Sequence, residues 1–133
     1  MAQELLVTEQ IDAGGNFVRD FCEYAAVSAA FWVNPADSDD WYLYIASAEI
    51  DDSNFDIAYG EVLRRLRGQR YPWLDPFRIK LVNSADAVAK HAIEIRDRYP
   101  AKLPTRYFGS SLGGTSVSAA LIYPRQSVMQ PVP

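Results

Sequence analysis

The chain has 133 residues, of which 49% are hydrophobic and 13% aromatic, so it can bury one ordinary core and is not a disordered chain. Its single cysteine, Cys22, excludes an intramolecular disulfide and a metal site built on cysteines, as expected in a reducing cytoplasm. Residues 1–63 carry one base against thirteen acids, and residues 64–133 carry twelve bases against four acids. We expect one domain to interleave these halves; the alternative is a polarised molecule with a basic face for an anionic partner or for self-contact.

The first half of the chain predicts a helix followed by a hairpin. Apolar residues at helical spacing predict a helix over 11–25, capped by Thr8 or Asp12. Two strands follow at 27–34 and 41–48, joined by a turn rich in Asp and Ser. Because both strand faces are apolar, we expect this hairpin near the sheet centre or at an oligomer contact. One face is predicted to combine Val27, Ala29, Phe31 and Val33 with Trp41, Leu43 and Ile45.

The second half predicts two helices, a strand and a second hairpin. The helices span 54–67, capped by Asp52 or Ser53 and ended by Gly68, and 85–98, capped by Ser84. Strand 77–82 lies between them and alternates, with Phe77, Ile79 and Leu81 inward and Arg78 and Lys80 outward. The last hairpin pairs 105–110 with 116–123 around a turn that contains glycine.

These elements define an α+β fold in the order α-β-β-α-β-α-β-β. We predict a mixed or antiparallel sheet of about five strands with the helices packed on it. The domain spans residues 1–123, and the proline-rich residues 124–133 form a loose tail.

Several segments resemble a widespread group of short uncharacterised bacterial proteins. They are LVTEQIDAG at the first helix, AAFW on the first strand, and WYLYIAS followed by the acids Asp51 and Asp52. The resemblance covers roughly residues 6–63 and implies a cytoplasmic bacterial protein. It brings no established activity and no site residues.

The patterns that would indicate catalysis or metal binding are incomplete. Asp52, Asn54 and Asp56 have the spacing of calcium ligands, but the glycine and the glutamate that the loop requires are replaced by Ile57 and Leu63. The lone histidine, His91, lies at the margin of its helix stripe, and no pattern places a nucleophile beside it. FGSSLGGT is followed by a strand and no lysine, so it is a turn and not a phosphate loop. We therefore predict no metal, no cofactor and no catalytic set. An unrecognised enzyme using Glu49, Asp51 and Asp52 is the remaining catalytic alternative.

One basic segment, RRLRGQR, has two interpretations. Bases at a helix C-terminus are favoured by the helix dipole, which is a sufficient structural reason for them. Next to Tyr71 and Trp73, the same bases also suit an anionic ligand or nucleic acid. The candidate binding residues are Arg64, Arg65, Arg67 and Arg70.

The preferred hypothesis is a non-catalytic protein-interaction or regulatory module that acts as a homodimer. The first hairpin offers more aromatic surface than a few short helices are expected to cover. Its candidate interaction residues are Trp32, Trp41, Tyr42 and Tyr44.

The N-terminus has no apolar core of signal-peptide length, and the longest apolar run, around residues 25–33, is too short to span a bilayer. We therefore expect a cytoplasmic protein without a membrane partner.

Overall fold

A computed structural model describes residues 6–69 and 71–125 of the chain. It has three helices and six strands in this part, which confirms the predicted α+β class with one strand more than expected. In chain order they are α1 (Thr8–Phe21), β1 (Ala29–Pro35), β2 (Tyr42–Ser47), α2 (Phe55–Gln69), β3 (Ile79–Asn83), α3 (Ala87–Arg98), β4 (Thr105–Tyr107), β5 (Ser111–Leu112) and β6 (Thr115–Ile122).

The strands form a mixed sheet in the order β3-β2-β1-β6-β4, with β5 paired to β6. The β2–β3 pair is parallel, because α2 crosses over between these strands, and the other pairs are antiparallel. Strand β1 lies in the middle of the sheet and all but its last residue are buried. The hairpin of β1 and β2 is therefore central, as the apolar character of both its faces predicted.

The register of this hairpin corrects the predicted distribution of side chains between the two faces. Phe31 lies opposite Tyr44, and Trp32 lies opposite Leu43. Directly opposed residues project from the same side of a sheet, so Phe31 shares its face with Tyr44 and not with Leu43 or Ile45. Alternation within a strand could be predicted, but the register that joins two strands depends on the turn between them.

Helices cover the two faces of the sheet unequally. Helices α1 and α2 lie on the face that carries Trp32, Leu43 and Ile45, and they bury the larger cluster of apolar side chains there. Helix α3 alone lies on the opposite face, against the middle and the β5–β6 side of the sheet. None of the helices in the described ranges combines the length and apolar character needed to cross a bilayer.

The start of each helix differs from its predicted cap, and α2 begins after Asn54 and continues past Gly68. Helix α1 begins at Thr8, where the N–H of Val7 donates to Gln10 Oε1 at 3.2 Å, so a glutamine of the first turn satisfies the backbone. Helix α3 is capped by Asp86, whose carboxylate accepts from the N–H of Val88 at 2.9 Å, whereas Ser84 lies 2.5 Å from the hydroxyl of Ser28.

The predicted strand 105–110 is shorter, because β4 ends at Tyr107, and β5 lies in the predicted loop. The ring of Tyr107 folds over Gly109, where an added Cβ would lie 2.1 Å from the Tyr107 hydroxyl oxygen. The hydroxyl itself donates to the carbonyl of Ser111 at 2.6 Å. Beyond β5, Gly113 and Gly114 have φ of 58° and 86°, as a two-residue hairpin turn requires, which confirms the predicted glycine turn.

Residues near the C-terminal end of β6 complete the core. Tyr123 is buried, Pro124 is buried, and Arg125 donates to the carboxylate of Asp97 at 3.0 Å. The rest of the predicted tail, residues 126–133, lies outside the described residues.

A buried hydrogen-bonded pair connects α1 to the sheet. Trp32 Nε1 on β1 donates to the hydroxyl of Tyr123 at 2.9 Å, and that hydroxyl donates to the carbonyl of Ile11 in α1. The close approach depends on Gly14, where a Cβ would lie 2.6 Å from the Tyr123 hydroxyl and 3.0 Å from the Trp32 ring. Burial raises the pKa of Tyr123 well above its ordinary value, which keeps the hydroxyl protonated as a donor.

We expect the G14A and G15A variants to shift stability in opposite directions. Alanine has a higher helix propensity than glycine at both sites. At Gly14, however, its methyl group would overlap the buried hydroxyl of Tyr123 and the ring of Trp32, at a net cost in stability of about 1–3 kcal/mol. At Gly15 the nearest atom would be at 3.5 Å, an ordinary contact, so G15A should stabilise by about 0.5–1 kcal/mol. Urea unfolding measures both. Equal changes in stability at the two sites would contradict the close packing of α1 on Trp32.

Candidate interaction surface

Arg65 links two helices in the structure. On α2, its Nε donates to Glu61 at 2.6 Å. Its Nη1 reaches α1, where it bonds the carboxylate of Asp20 and the Asp20 carbonyl at 2.8 Å, and it lies 3.2 Å from Glu23 just beyond that helix. With these acceptors and little exposure, Arg65 stabilises the packing of α2 on α1 and does not present its charge to a ligand.

The other bases of RRLRGQR differ in their surroundings. Arg64 pairs with Glu61 at 2.5 Å, while Arg67 is exposed and Arg70 lies outside the described residues. Arg64 and Arg65 meet three acids, Asp20, Glu23 and Glu61, which offset the charges of these two arginines. Because an anion or a nucleic acid requires an excess of positive charge, this pair of arginines does not favour its binding.

The pKa of Glu61 reflects the same network. A hydrogen bond from Arg64, assisted by one from Arg65, lowers it from its ordinary value of 4.5 to about 2. As pH falls below 4.5, the unfolded chain takes up a proton at this position while native Glu61 remains ionised. Glu61 therefore stabilises the fold above that pH and loses its contribution as the pH approaches its native pKa.

We expect E61Q to reduce the acid sensitivity of the fold. Relative to the unsubstituted chain, E61Q should be less stable at pH 7, and the difference should shrink as pH falls from about 5 towards 2. Urea unfolding at a series of pH values measures this difference. The exposed Glu94 on α3 provides the matched control, E94Q, for which the difference should stay small at every pH. If the stability of E61Q were lower by the same amount at every pH, the charge of Glu61 would not be the cause.

The four aromatic residues predicted to form an interaction surface lie on opposite faces of the sheet. Trp32 and Trp41 are 3% and 8% exposed and belong to the core beneath α1 and α2. Tyr42 and Tyr44 project from the other face and are half-buried. The helices cover the tryptophans more completely than the sequence suggested, so only the two tyrosines remain accessible to a partner.

The tyrosines belong to a part of the sheet that α3 covers incompletely. Helix α3 packs mainly against β1, β5 and β6. On β2 and β3 this leaves a surface that we call the open face, formed by Tyr42, Tyr44, Lys80 and Val82. Tyr44 stacks on Phe31 at a centroid distance of 5.2 Å, and burial followed by the charge of Asp86 raises its pKa. The open face is thus an ordered aromatic surface with one cation.

Strand β3 forms one end of the sheet, with β2 as its only strand neighbour in the described part of the chain. Alternate backbone N–H and C=O groups of an edge strand point away from the sheet and can pair with another strand. Lysines often protect such edges, but the ammonium of Lys80 lies over the rings of β2, at 5.0 Å from the centroid of Tyr42 and 5.8 Å from that of Tyr44. The charge is therefore drawn towards the sheet and away from its edge.

Phe77 lies immediately before this edge and is 86% exposed, so its predicted inward orientation is wrong. Residues Pro76–Arg78 form a 3-10 turn, because the carboxylate of Asp75 accepts from the N–H of Phe77 at 2.9 Å. The strand therefore begins at Ile79, and the alternation does not extend back to Phe77. The Asp-Pro pair before Phe77 was the sequence signal for this turn.

The carboxylates of the catalytic alternative are occupied by the backbone around them. Glu49 Oε1 accepts from the N–H of Ala26 at 2.7 Å, and Asp51 accepts from both the backbone and the hydroxyl of Ser53. The hydrogen bond from the Ser53 hydroxyl is the main cause of the lowered pKa of Asp51. Asp52 is exposed. Glu49 and Asp51 thus accept structural hydrogen bonds from the chain around them.

His91 also has a structural contact. Its Nδ1 accepts from the N–H of Gly113 at 2.8 Å and so connects α3 to the β5–β6 turn. Its ring meets Tyr107 edge to face at 5.8 Å. Among the described residues, no group of three or more His, Cys, Asp or Glu side chains is arranged to hold a metal ion.

Comparisons of the chain with protein-family models, with curated proteins and with solved structures give no match. The resemblance to short bacterial proteins therefore stays a prediction. The surface must be interpreted from its own geometry, in which Tyr42 and Tyr44 were predicted correctly as neighbours but Val82 and Phe77 were not identified.

Proposed function

We propose that this protein is a non-catalytic interaction module that acts as a homodimer, with the two copies joined through β3 and the open face. The observation that carries the proposal is an edge strand, β3, that pairs only with β2 among the described strands, whose lysine lies over the rings of β2 and which follows the 86% exposed Phe77. An exposed edge beside apolar side chains is a site at which another strand adds to a sheet.

The chemistry of β3 favours a second copy as the added strand. A two-fold axis near Leu81 would pair the two strands antiparallel and place Lys80 opposite Val82 of the second copy. Like charges would not oppose each other, and the apolar Val82 would face the aliphatic stem of the lysine. The strand is therefore self-complementary in charge.

The two ends of β3 are also complementary in size. Phe77 precedes Leu81 by four residues, and the small, exposed Ala85 follows it by four. An antiparallel pair would thus bring the bulky, exposed ring at one end of β3 towards the small residues Ala85 and Ala87 of the second copy. Burying an exposed aromatic ring at this point would supply much of the affinity.

The proposal includes a cytoplasmic location, supported by a lone and buried cysteine that needs no oxidising compartment. The proposal includes neither an anion nor a nucleic acid at RRLRGQR, since acids offset the charges of Arg64 and Arg65.

The F77D variant tests the interface. We expect the unsubstituted chain to sediment as a dimer at micromolar concentration, and F77D to weaken dimerisation at least about tenfold, because a carboxylate would replace the buried ring. Phe108 is 74% exposed and precedes β5, outside the proposed interface, so F108D is the matched control and should dimerise normally. A strict monomer, or equal weakening by both variants, would overturn the proposal.

Hydrogen exchange provides a second measurement, specific to the strand. Alternate backbone amides of β3 should become more protected as the protein concentration rises through the dissociation constant, whereas amides of β4 should not change. Concentration-dependent protection elsewhere, with β3 unchanged, would show that the dimer uses another surface.

A further inference from the structure

A cavity of about 410 Å³ lies between the C-terminal end of α3 and the outer end of the sheet, where β4 begins and β6 has just ended. Its volume is within the range of small-molecule sites. None of the residues predicted from the sequence as site residues lines it. Its polar and aromatic lining residues are Arg96, Asp97, Tyr99, Lys102, Thr105 and Arg125.

Arg96 provides a fixed positive charge in the wall of this cavity. Its side chain is 7% exposed, its Nη1 donates to the carbonyl of Ser28 at 2.7 Å, and its Nε donates to Asp97 at 3.1 Å. The third nitrogen, Nη2, has no acceptor among the described residues. A guanidinium held in this way is preorganised for an anion.

Asp97 holds a second arginine at the cavity. Arg125 Nη2 donates to the same carboxylate oxygen at 3.0 Å, so one acid is shared by two bases. Hydrogen bonds from Arg96 and then from Arg125 lower the pKa of Asp97, so the acid stays ionised and keeps both bases in place. With Lys102, the lining carries three bases against one acid, whereas acids offset the charges of Arg64 and Arg65 on α2.

The remaining walls are largely apolar. Tyr99 is exposed at the end of α3, and the segment after it contributes Pro100 and Ala101. Prolines restrict the backbone, so these walls lose little entropy when a ligand packs against them. The hydroxyl of Thr105 adds a hydrogen-bonding group at the start of β4.

A second depression of about 370 Å³ adjoins the first, and Lys102 and Pro124 line both. It brings another base, Arg19 on α1, together with Asp12. Lys102 has no ion-pair partner among the described residues. Because it lines both depressions, its ammonium could contact an anionic ligand in either of them. The combined groove favours an elongated ligand whose anionic group is near Lys102.

We propose that this groove binds a small organic anion, a carboxylate or phosphate monoester joined to a flat apolar body. The anionic group is held by Lys102, Arg125 and the free edge of Arg96, and the body packs against Tyr99 and the prolines. Neither part suffices alone, because a free inorganic anion gains nothing from the apolar walls, and an uncharged body leaves the net positive charge of the lining, three bases against Asp97, without compensation.

Titration with three probes tests the requirement for both parts. Phenyl phosphate carries both, inorganic phosphate only the anion, and phenol only the ring. We expect amide chemical-shift changes at residues 96–106 and 124–125 with phenyl phosphate, at a dissociation constant at least about tenfold lower than with either of the others. Benzoate, the carboxylate counterpart, separates a preference for phosphate from a general preference for organic anions. Equal binding of phenyl phosphate and inorganic phosphate, or shifts elsewhere, would overturn the proposal.

Substitution of the exposed bases tests the site itself. K102A and R125A should each weaken phenyl phosphate binding roughly tenfold, since each removes a charged contact. Arg106 on β4 is exposed and lies outside the lining, so R106A removes the same charge as R125A and should bind normally. Equal loss in R106A would show a nonspecific charge effect and contradict the proposal.

The test does not depend on the dimer. F77D, with its substitution at the opposite end of the sheet, should bind phenyl phosphate as the unsubstituted chain does. If the protein proves to be a monomer, the proposal for the groove therefore still stands. If phenyl phosphate does not bind, the proposal for the dimer still stands.

Discussion

The buried hydrogen bond between Trp32 and Tyr123 joins the central strand, the end of β6 and helix α1 at one point. The rest of the architecture depends on it in two ways. It holds α1 so close to the sheet that only a glycine fits at position 14, and it fills the middle of that face with an indole and a phenol whose polar atoms are satisfied. Helix α2 then packs beside α1, held there by Arg65.

With both longer helices on one face, the other face has only α3 to cover it. A single helix of this length cannot cover a whole sheet, and α3 lies towards β5 and β6, where Gly113 donates to His91. The β2–β3 side is left as the open face. The proposed dimer is thus a consequence of unequal coverage: the uncovered side is also the side where the sheet ends in β3, which pairs only with β2 among the described strands.

The acidic and basic halves of the chain neutralise each other in one part of the structure and not in another. On α2, arginines from the basic half meet acids from the acidic half, so the charges neutralise across the α1–α2 contact. At the C-terminal end of α3, by contrast, Asp97 is shared by Arg96 and Arg125, and Lys102 adds a further base. The same composition therefore yields a structural cluster in one place and a positively charged groove in another.

Local periodicity predicted most of the elements, because helical and strand spacing are properties of a few consecutive residues. The helix stripes, the central hairpin and the glycine turn were all readable in this way. Apart from the register of the first hairpin, the errors at two helix starts and at Phe77 occurred where side chains satisfy the backbone locally: Gln10 and Asp86 changed the helix starts, and Asp75 turned Phe77 outwards. Such hydrogen bonds compete with one another at short range, and the sequence alone does not show which of them forms.

By itself, then, the sequence determined the α+β class, the alternation within each strand and the central place of the first hairpin, since these depend on neighbouring residues. Only the tertiary structure decided which charges are neutralised and which surface stays open. Arg65 meets Asp20 across 45 positions of the chain, and Trp32 meets Tyr123 across 91. Contacts at such separation arise from the register of strands and the packing of helices, which no local pattern encodes.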